Sequence, residues 1–516
     1  MRFLGLLLPL ALGAAAGLGL PPWDWWPLTL VGFAVWLHLI HEAPTLRSAL
    51  AKGWLFGLGH LTVANLWIQQ PFEFQDKMPP ALGYIAVVLL AGYLAIYPML
   101  AAGLAWRLAA PRNDPARRPD AAFVLVAGAA WIVTEYLRGT MFTGYPWDPL
   151  AVVWISQLGV AQLARYVGTY ALSGLTVVAA GALLLLAQRR WRSALAIALP
   201  FVVAGLLPYG IIPGMDRAQR SIVVVQPNLA EEVRPTDDYA EANYQALARL
   251  SGKPTADHAR LILWPEGAIR FPLEDGYPLY VYQAYGDAKV SRGRMANLLG
   301  DRDAILTGMQ ATFFDKDGNQ TGGTNAIGLI GADAKIHARY DKAHLVPYGE
   351  YLPARPLLEA IGLSRLVPGD FDFVPGPGPR TIEVPGFGKV GMLICYEVIF
   401  SGVTVDPANR PDFIFNPSND AWFGTLGPPA HLAQAQLRAI EEGVSIIRAT
   451  PTGISAVISP NGEISRSIPM GKAGAIEAPV PLRVDPTLFA RLGNWLAGIV
   501  SALLLILAIA IRRRAR

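Results

Sequence analysis

The sequence predicts a membrane α-helical bundle of about eight transmembrane helices, joined to an α/β domain. The chain has 516 residues, of which only 16% are charged, whereas soluble domains carry roughly 25%. Long apolar runs fill residues 1–210, and another closes the chain. Between residues 221 and 459, short β-branched runs alternate with amphipathic stretches, a pattern typical of an α/β domain.

A membrane-spanning helix needs about 20 mostly apolar residues. We expect eight such helices, at residues 3–20, 26–41, 50–68, 81–106, 121–138, 160–187, 193–209 and 492–511. The run 160–187 is overlong, so its helix should begin later. The first run resembles a signal peptide, but it lacks a clear cleavage site and further apolar segments follow at once, which favours a retained helix. The chain therefore divides into an N-terminal bundle of seven helices (1–210), an inserted domain (218–485) and a C-terminal helix with a basic tail (490–516).

Basic residues are concentrated in alternate loops, around residues 47–52, 107–118 and 189–192, and in the tail after the last helix. Lys and Arg accumulate on the cytoplasmic side of membrane proteins, so both termini are expected in the cytoplasm and the inserted domain on the opposite, periplasmic face of a bacterial inner membrane. The pI of about 9.0 follows from this topology and does not indicate nucleic-acid binding.

Within the inserted domain we expect eight strands and three helices. The strands are predicted at 221–226, 261–265, 304–310, 326–329, 390–395, 413–416, 445–448 and 454–459, and the helices at 238–250, 280–299 and 431–442. Residues 375–379 read PGPGP, a loop signal. The sequence has no glycine-rich phosphate loop and no metal-ligand spacing, so no metal or other cofactor is expected.

Three polar residues stand at strand ends or in adjacent loops, where α/β folds gather catalytic groups. Glu266 follows the run 261–265, Lys342 lies in the segment 340–350, and Cys395, the single cysteine, ends the run 390–395. A carboxylate can take a thiol proton, and an ammonium favours the thiolate and stabilises an oxyanion. This set suits acyl transfer through a thioester. Taken singly, each residue has a plainer interpretation. Glu266 could be a solvated loop carboxylate, Lys342 a surface or ion-paired lysine, and Cys395 a small buried hydrophobic residue.

The segments around these residues resemble the three motifs of the nitrilase superfamily. They read WPE at 264–266, KAHLVPYGE at 342–350 and ICYE at 394–397, with NPSNDAWFG at 416–424 in support. Together with the membrane helices, TGYPW at 143–147 and IRATPTGIS at 447–455, they make nearly the whole chain similar to the bacterial apolipoprotein N-acyltransferase family.

That resemblance implies a nitrilase-like αββα sandwich resting on the bundle. It also implies ping-pong transfer of an acyl chain from a membrane phospholipid to the N-terminal α-amine of a diacylglyceryl-cysteine on an apolipoprotein. Glu266 would be the general base, Lys342 the oxyanion stabiliser and Cys395 the nucleophile. Supporting roles fall to Glu350, Tyr396 and Glu397, and expected pocket residues are Asn325, Asn419, Asp420 and Trp422.

Some features leave alternatives open. Family members often carry a tryptophan shortly after the first strand, and residues 226–234 here have none. Glu135 and Arg138 are three residues apart in an apolar helix, so they are either functional intramembrane charges or an ion pair across one helical turn. The rival functions are a membrane-tethered amidase or nitrilase that uses water as acceptor, and a non-catalytic assembly factor that keeps the fold.

Overall fold

The computed structural model describes residues 2–74, 78–110, 118–207, 216–229, 237–360, 365–366 and 371–514. Within these ranges, nine α-helices precede the first strand. They are α1 (Arg2–Gly17), α2 (Trp26–His41), α3 (Leu46–Ala64), α4 (Leu82–Leu94), α5 (Ile96–Ala109), α6 (Ala121–Thr140), α7 (Leu158–Ala161), α8 (Ala164–Ala187) and α9 (Trp191–Leu206). Short 3-10 helices at Leu66–Glu73 and Leu150–Trp154 lie in the connections.

Several of these helices are suited to a membrane. Four stretches are long and apolar enough to cross one: Leu82–Ala109, Ala121–Thr140, Ala164–Ala187 and Trp495–Arg514 near the C terminus. Shorter apolar helices lie at Leu7–Gly17, Trp26–His41 and Trp191–Leu206. Small residues bring α1 and α3 into close contact, because a Cβ added at Gly59 would lie 2.1 Å from the Leu10 carbonyl oxygen. Such close backbone approach is typical of helix packing in membranes.

The second half of the described chain forms two six-stranded sheets. The strands are β1 (Asp216–Gln226), β2 (Ala259–Leu263), β3 (Ala304–Phe314), β4 (Gln320–Gly331), β5 (Ile336–Asp341), β6 (Arg380–Val384), β7 (Gly388–Met392), β8 (Phe413–Pro417), β9 (Ser445–Ala449), β10 (Ser455–Ile458), β11 (Ile464–Ile468) and β12 (Gly474–Val480). One sheet has the order β12-β1-β2-β3-β4-β5 and the other β11-β10-β9-β8-β7-β6. The strands β1, β2 and β3 run parallel to one another, as do β7, β8 and β9.

Helices cover the outer faces of both sheets. The remaining helices are α10 (Asp237–Leu250), α11 (Leu279–Tyr285), α12 (Ala288–Ala296), α13 (Arg355–Ala360), α14 (Gly427–Glu442), α15 (Leu488–Leu492) and α16 (Trp495–Arg514). Alternate residues of one strand point to opposite faces. Thus Ile222 and Val224 of β1 join the core between the sheets, while Val223 packs with Leu247 of α10 and Met295 of α12. The result is the two-sheet nitrilase-like α/β fold.

The helix α14 is buried on all sides because it lies between the second sheet and the bundle. Leu432 and Ala435 pack in the same apolar cluster as the strands of the second sheet, and Leu437 packs among residues of the bundle. Close to its C-terminal end, the Glu441 carboxylate accepts a hydrogen bond from the Thr169 N–H of α8. The bundle and the α/β domain therefore share this helix as a common wall.

The structure corrects several predicted boundaries. The helix expected at 280–299 is two helices, because Gly286 adopts φ +92° and ends α11. The long helix in the run 160–187 begins later, as expected, at Ala164, after the short α7, and it breaks at Gly168, where φ is +79°. The strand expected to end at Cys395 ends at Met392. Residues 230–234, in the loop after β1 that contains no tryptophan, lie outside the described residues. The same holds for residues 111–117 of one basic loop.

Candidate active site

Glu266, Lys342 and Cys395 come together at one end of the two sheets. Glu266 follows β2, Lys342 is the first residue after β5, and Cys395 lies three residues after β7. The Cys395 thiol and the Glu266 carboxylate lie close enough for each to shift the pKa of the other, and Lys342 Nζ lies 3.7 Å from Glu266 Oε1. Glu266 and Cys395 are 129 positions apart in the chain, with Lys342 between them. The three residues converge because their strands end on the same side of the two sheets.

The Glu266 carboxylate is held at both oxygens. Asn325 Nδ2 donates to Oε1 at 2.6 Å, and the Asn419 main-chain N–H donates to Oε2 at 2.6 Å. Burial raises the pKa of Glu266 above its ordinary value, although the nearby Lys342 ammonium opposes the shift. The group is therefore a fixed carboxylate with raised basicity, as a general base requires.

Lys342 is almost fully buried, with 1% of its side chain exposed. Its Nζ donates to Glu350 Oε1 at 2.9 Å, and Asn325 Nδ2 reaches the same oxygen at 3.0 Å. Burial alone would lower the pKa of Lys342, but the Glu350 and Glu266 carboxylates outweigh it and raise that pKa above its ordinary range. Lys342 is therefore a permanent cation beside the thiol, and Glu350 orients it.

Cys395 begins a short 3-10 helix, Cys395–Ile399, and adopts a main-chain φ of +50°. A left-handed conformation costs a non-glycine residue about 1–2 kcal/mol, and such strain is common at functional sites. Burial raises the pKa of the thiol well above its ordinary value; the Glu266 carboxylate adds to this effect and Lys342 opposes it. The resting group is therefore a thiol and not a thiolate.

Glu397 joins the lysine loop to the turn that carries the cysteine. Its Oε1 accepts from the Tyr340 hydroxyl at 2.8 Å and from the main-chain N–H groups of Ala343 and His344 at 2.8 and 3.1 Å. Its Oε2 accepts from the Ile394 N–H at 2.6 Å. One buried carboxylate thus fixes the separation of the Lys342 loop and the Cys395 turn.

A buried cluster of polar residues lies behind Cys395. Arg448 Nη2 binds both oxygens of Asp420 at 2.7 Å, and the same carboxylate lies 3.0 Å from His431 Nδ1. Nε2 of His431 donates to the Cys395 carbonyl oxygen at 3.2 Å. Burial tends to raise the pKa of Asp420, but Arg448 and His431 hold it below its ordinary value. Sequence reasoning missed His431 and Arg448, because no local spacing links them to Cys395.

The bundle contributes aromatic residues to the wall next to Cys395. Trp147, from the TGYPW segment, is fully buried and stacks on Tyr396, with ring centroids 6.4 Å apart. It also contacts Trp67 from the connection after α3, at 4.6 Å. His344 Nε2 lies 3.1 Å from the Thr143 carbonyl oxygen. The membrane-type half of the chain therefore supports the site directly.

A cavity of about 230 Å³ lies beside the site. Its wall includes Phe74 from the bundle together with Asp420, Thr452 and Met470 from the α/β domain. Trp422 packs edge-on against Phe74, with centroids 5.3 Å apart. The predicted pocket residues thus divide into two groups: Asn325 and Asn419 hold Glu266, whereas Asp420 and Trp422 lie by this cavity.

Glu135 and Arg138 form the ion pair that their spacing allows, with 3.5 Å between Arg138 Nη2 and Glu135 Oε1. Arg138 Nη1 also donates to the Trp147 carbonyl oxygen at 2.9 Å, and the Leu150 N–H donates to Glu135 at 3.0 Å. The pair therefore anchors the segment that carries Trp147. In the part of the chain that the structure describes, no group of three or more His, Cys, Asp or Glu side chains could hold a metal ion.

The fold and the Glu–Lys–Cys cluster define a protein of the carbon–nitrogen hydrolase class. Residues 224–484 match the carbon-nitrogen hydrolase family, and residues 12–182 match the apolipoprotein N-acyltransferase N-terminal domain. Among solved structures, Saccharomyces cerevisiae Nit3, a branch 10 member of the nitrilase superfamily, is 20% identical, with a TM-score of 0.35 over 51% of this chain and 89% of that chain.

Two similar proteins match this chain over nearly its full length. The apolipoprotein N-acyltransferase of Rhodopseudomonas palustris is 32% identical over 98% of this chain and 95% of the relative. That of Caulobacter vibrioides is 33% identical over 96% of this chain and 94% of the relative. The chain belongs to the apolipoprotein N-acyltransferase family.

Proposed function

We propose that this protein transfers a fatty acyl chain from a membrane phospholipid to the N-terminal α-amine of the diacylglyceryl-cysteine of an apolipoprotein. The observation that carries the proposal is the buried cluster of Glu266, Lys342 and Cys395, with aromatic residues of an apolar helical bundle in its wall. A hydrolase acting on soluble amides has no need of such a bundle. Family membership supports the same reaction.

In the first half-reaction, Cys395 Sγ attacks the ester carbonyl carbon of the phospholipid while Glu266 takes the thiol proton. The carbonyl oxygen becomes an oxyanion, which the Lys342 ammonium stabilises. When the intermediate collapses, the ester C–O bond breaks, and the departing lysophospholipid oxygen takes the proton from Glu266. The product is a thioester on Cys395. The raised pKa of the thiol supports proton removal in concert with attack rather than a preformed thiolate.

In the second half-reaction, the amine nitrogen of the lipoprotein attacks the thioester carbon. Glu266 takes a proton from the amine, and Lys342 again faces the oxyanion. Collapse breaks the C–S bond, and the thiolate recovers its proton from Glu266. The acyl chain leaves in an amide bond, and the enzyme returns to its initial state. Two products released in sequence are the signature of ping-pong kinetics.

We place the reaction at the outer surface of a bacterial inner membrane. The proposed topology has eight spans, of which the pair α4 and α5 counts as one, with both termini cytoplasmic and residues 218–485 periplasmic. The distribution of Lys and Arg among the loops supports this orientation. In this arrangement both lipid substrates reach the site from the outer leaflet.

Incubation of the purified chain with phospholipid alone tests the first half-reaction. We expect an intact mass increase of one fatty-acyl group on Cys395, lost on hydroxylamine treatment. Cys395→Ser should abolish the thioester adduct, and Glu266→Gln should slow its formation by about 100-fold or more, the range that a general base contributes. No mass increase on the wild-type chain would refute the proposed mechanism.

Addition of a diacylglyceryl-cysteinyl peptide then tests the acceptor. We expect the peptide to gain the acyl group at the rate at which the enzyme loses it. Free fatty acid as the main product would instead indicate a hydrolase that uses water. Full function in Cys395→Ser cells would indicate a non-catalytic role in lipoprotein assembly.

A further inference from the structure

The carbonyl group of the nucleophile is held by two donors. His431 Nε2 lies 3.2 Å from the Cys395 carbonyl oxygen, and Asn416 Nδ2 lies 3.5 Å from it. A carbonyl oxygen only accepts hydrogen bonds, so Nε2 of His431 carries a proton in this contact. Together the two donors restrain the rotation of the peptide plane between residues 395 and 396, which follows a cysteine in a left-handed conformation.

The N–H of Tyr396 lies in the same peptide plane. In a trans peptide the C=O and N–H bonds point in opposite directions, so this N–H points away from His431. It belongs to the first turn of the 3-10 helix, where N–H groups lack a partner within the helix. Among the described residues, no main-chain or side-chain group accepts a hydrogen bond from it. It is a free donor one residue away from Sγ.

We propose that His431 is a positioning residue for acyl transfer: by holding the Cys395 carbonyl, it presents the Tyr396 N–H as a second oxyanion donor beside Lys342. The inference rests on the proposed function and deepens it. The Tyr396 N–H would stabilise both half-reactions, because each passes through a tetrahedral oxyanion. A preformed donor of this kind stabilises the transition state without reorganisation.

The surroundings of His431 suit this role because they prevent the imidazole from turning. With the proton on Nε2, its Nδ1 accepts from Arg448 Nη2 at 2.9 Å; Arg448 also binds the Asp420 carboxylate at 2.7 Å, and all three side chains are 0% exposed. Arg448 Nη1 also binds Asn416 Oδ1 at 2.7 Å, so both donors to the Cys395 carbonyl are tied to the same guanidinium. Locked supporting groups of this kind keep a catalytic geometry within tolerance.

The decisive comparison uses two reactions of the same thiol. Acylation by phospholipid forms an oxyanion, whereas alkylation by iodoacetamide displaces iodide and forms none. Cys395 is the single cysteine, so both reactions can be followed by intact mass. For His431→Phe, which keeps a ring but loses the donor, we expect acylation at saturating phospholipid to slow at least tenfold. We expect alkylation to stay within about twofold of the wild-type rate.

Rescue and control variants complete the test. His431→Gln places an amide donor near the position of Nε2 and should recover acylation to within about threefold, whereas the shorter His431→Asn should not. His258→Phe, at a partly exposed histidine paired with Glu477, should match the wild type in both reactions. If His431→Phe does not fold, the Gln and Asn variants carry the same comparison.

Other results would overturn the proposal. Equal slowing of acylation and alkylation would mean that His431 acts on the thiol or on folding in general, and unchanged acylation would mean that it has no role. Wild-type protein that alkylates but is never acylated would refute the proposed function itself, whatever the His431 variants do.

Discussion

Replacement of Asp148 by asparagine should remove a large part of the pH dependence of stability. Asp148 lies in the connection after α6 and is 2% exposed, and both of its side-chain oxygens lack a hydrogen-bond partner among the described residues. It lines a cavity of about 10 Å³ with His60, Glu135 and Arg138, room for about one water molecule. Burial raises the pKa of Asp148 from 3.8 to about 8, and Arg138 opposes the shift.

The direction of the pH effect on stability follows from the linkage between proton binding and folding. The folded state holds the Asp148 proton more tightly than the unfolded state, so the stabilisation is complete below the unfolded pKa and is lost as the pH rises through the folded one. Each pH unit between the two values is worth about 1.4 kcal/mol. From about pH 5 to about pH 8, the wild-type chain should therefore lose about 3–4 kcal/mol of unfolding free energy through this group. Asparagine stays neutral throughout, and it tolerates the main-chain φ of +48° at this position.

The assay is thermal unfolding of the detergent-solubilised protein, followed by tryptophan fluorescence over this pH range. We expect the midpoint of the wild type to fall relative to that of Asp148→Asn as the pH rises, with the variant the more stable protein at pH 8. Identical pH profiles for the two proteins would show that Asp148 is not protonated in the folded state. Asp148 would then have to be ionised and paired, against the contacts described above.

Three further predictions concern the remaining charged groups. Glu397→Gln should leave the Ile394 N–H without its carboxylate and cost about 1–3 kcal/mol, measured by the thermal midpoint, and it should also lower the acylation rate. Arg138→Met should cost about 3–5 kcal/mol, because it leaves Glu135 buried and unpaired, and the added change Glu135→Gln should recover most of that loss; additive losses would contradict this reasoning. As the pH is lowered, the acylation rate should begin to fall at a pH above the ordinary carboxyl range, because the general base Glu266 has a raised pKa. A rate that falls only at the ordinary carboxyl pKa would exclude Glu266 as the base.

Most of the α/β fold could be predicted from the sequence, and the strands that could not are all edge strands. The eight predicted strands are the inner strands of the two sheets, where β-branched residues form continuous apolar runs. The four strands that were missed, β5, β6, β11 and β12, are the outermost strands of the two sheets. Edge strands carry charged residues and are partly exposed, as in β11, so their apolar pattern is weak.

The site shows a similar division. Glu266, Lys342 and Cys395 could be predicted because each sits beside a strand end within a recognisable motif. His431 could not, since a lone histidine in a buried helix more often signals ordinary packing. Its proposed role depends on contacts with Cys395 and Asp420, which lie 36 and 11 positions away in the chain. Only the tertiary structure brings these groups within hydrogen-bond distance.

The shared helix α14 has a consequence for insertions and deletions. It contacts the Cys395 carbonyl oxygen through His431 and the bundle through Arg438, whose Nη2 donates to the Thr169 hydroxyl. Seven residues of helix separate the two, about 10 Å at 1.5 Å per residue. One inserted residue between them would turn one end by about 100° relative to the other. The length of α14 therefore fixes the position of Cys395 relative to the bundle, and we expect this helix to tolerate insertions and deletions less well than a surface loop does.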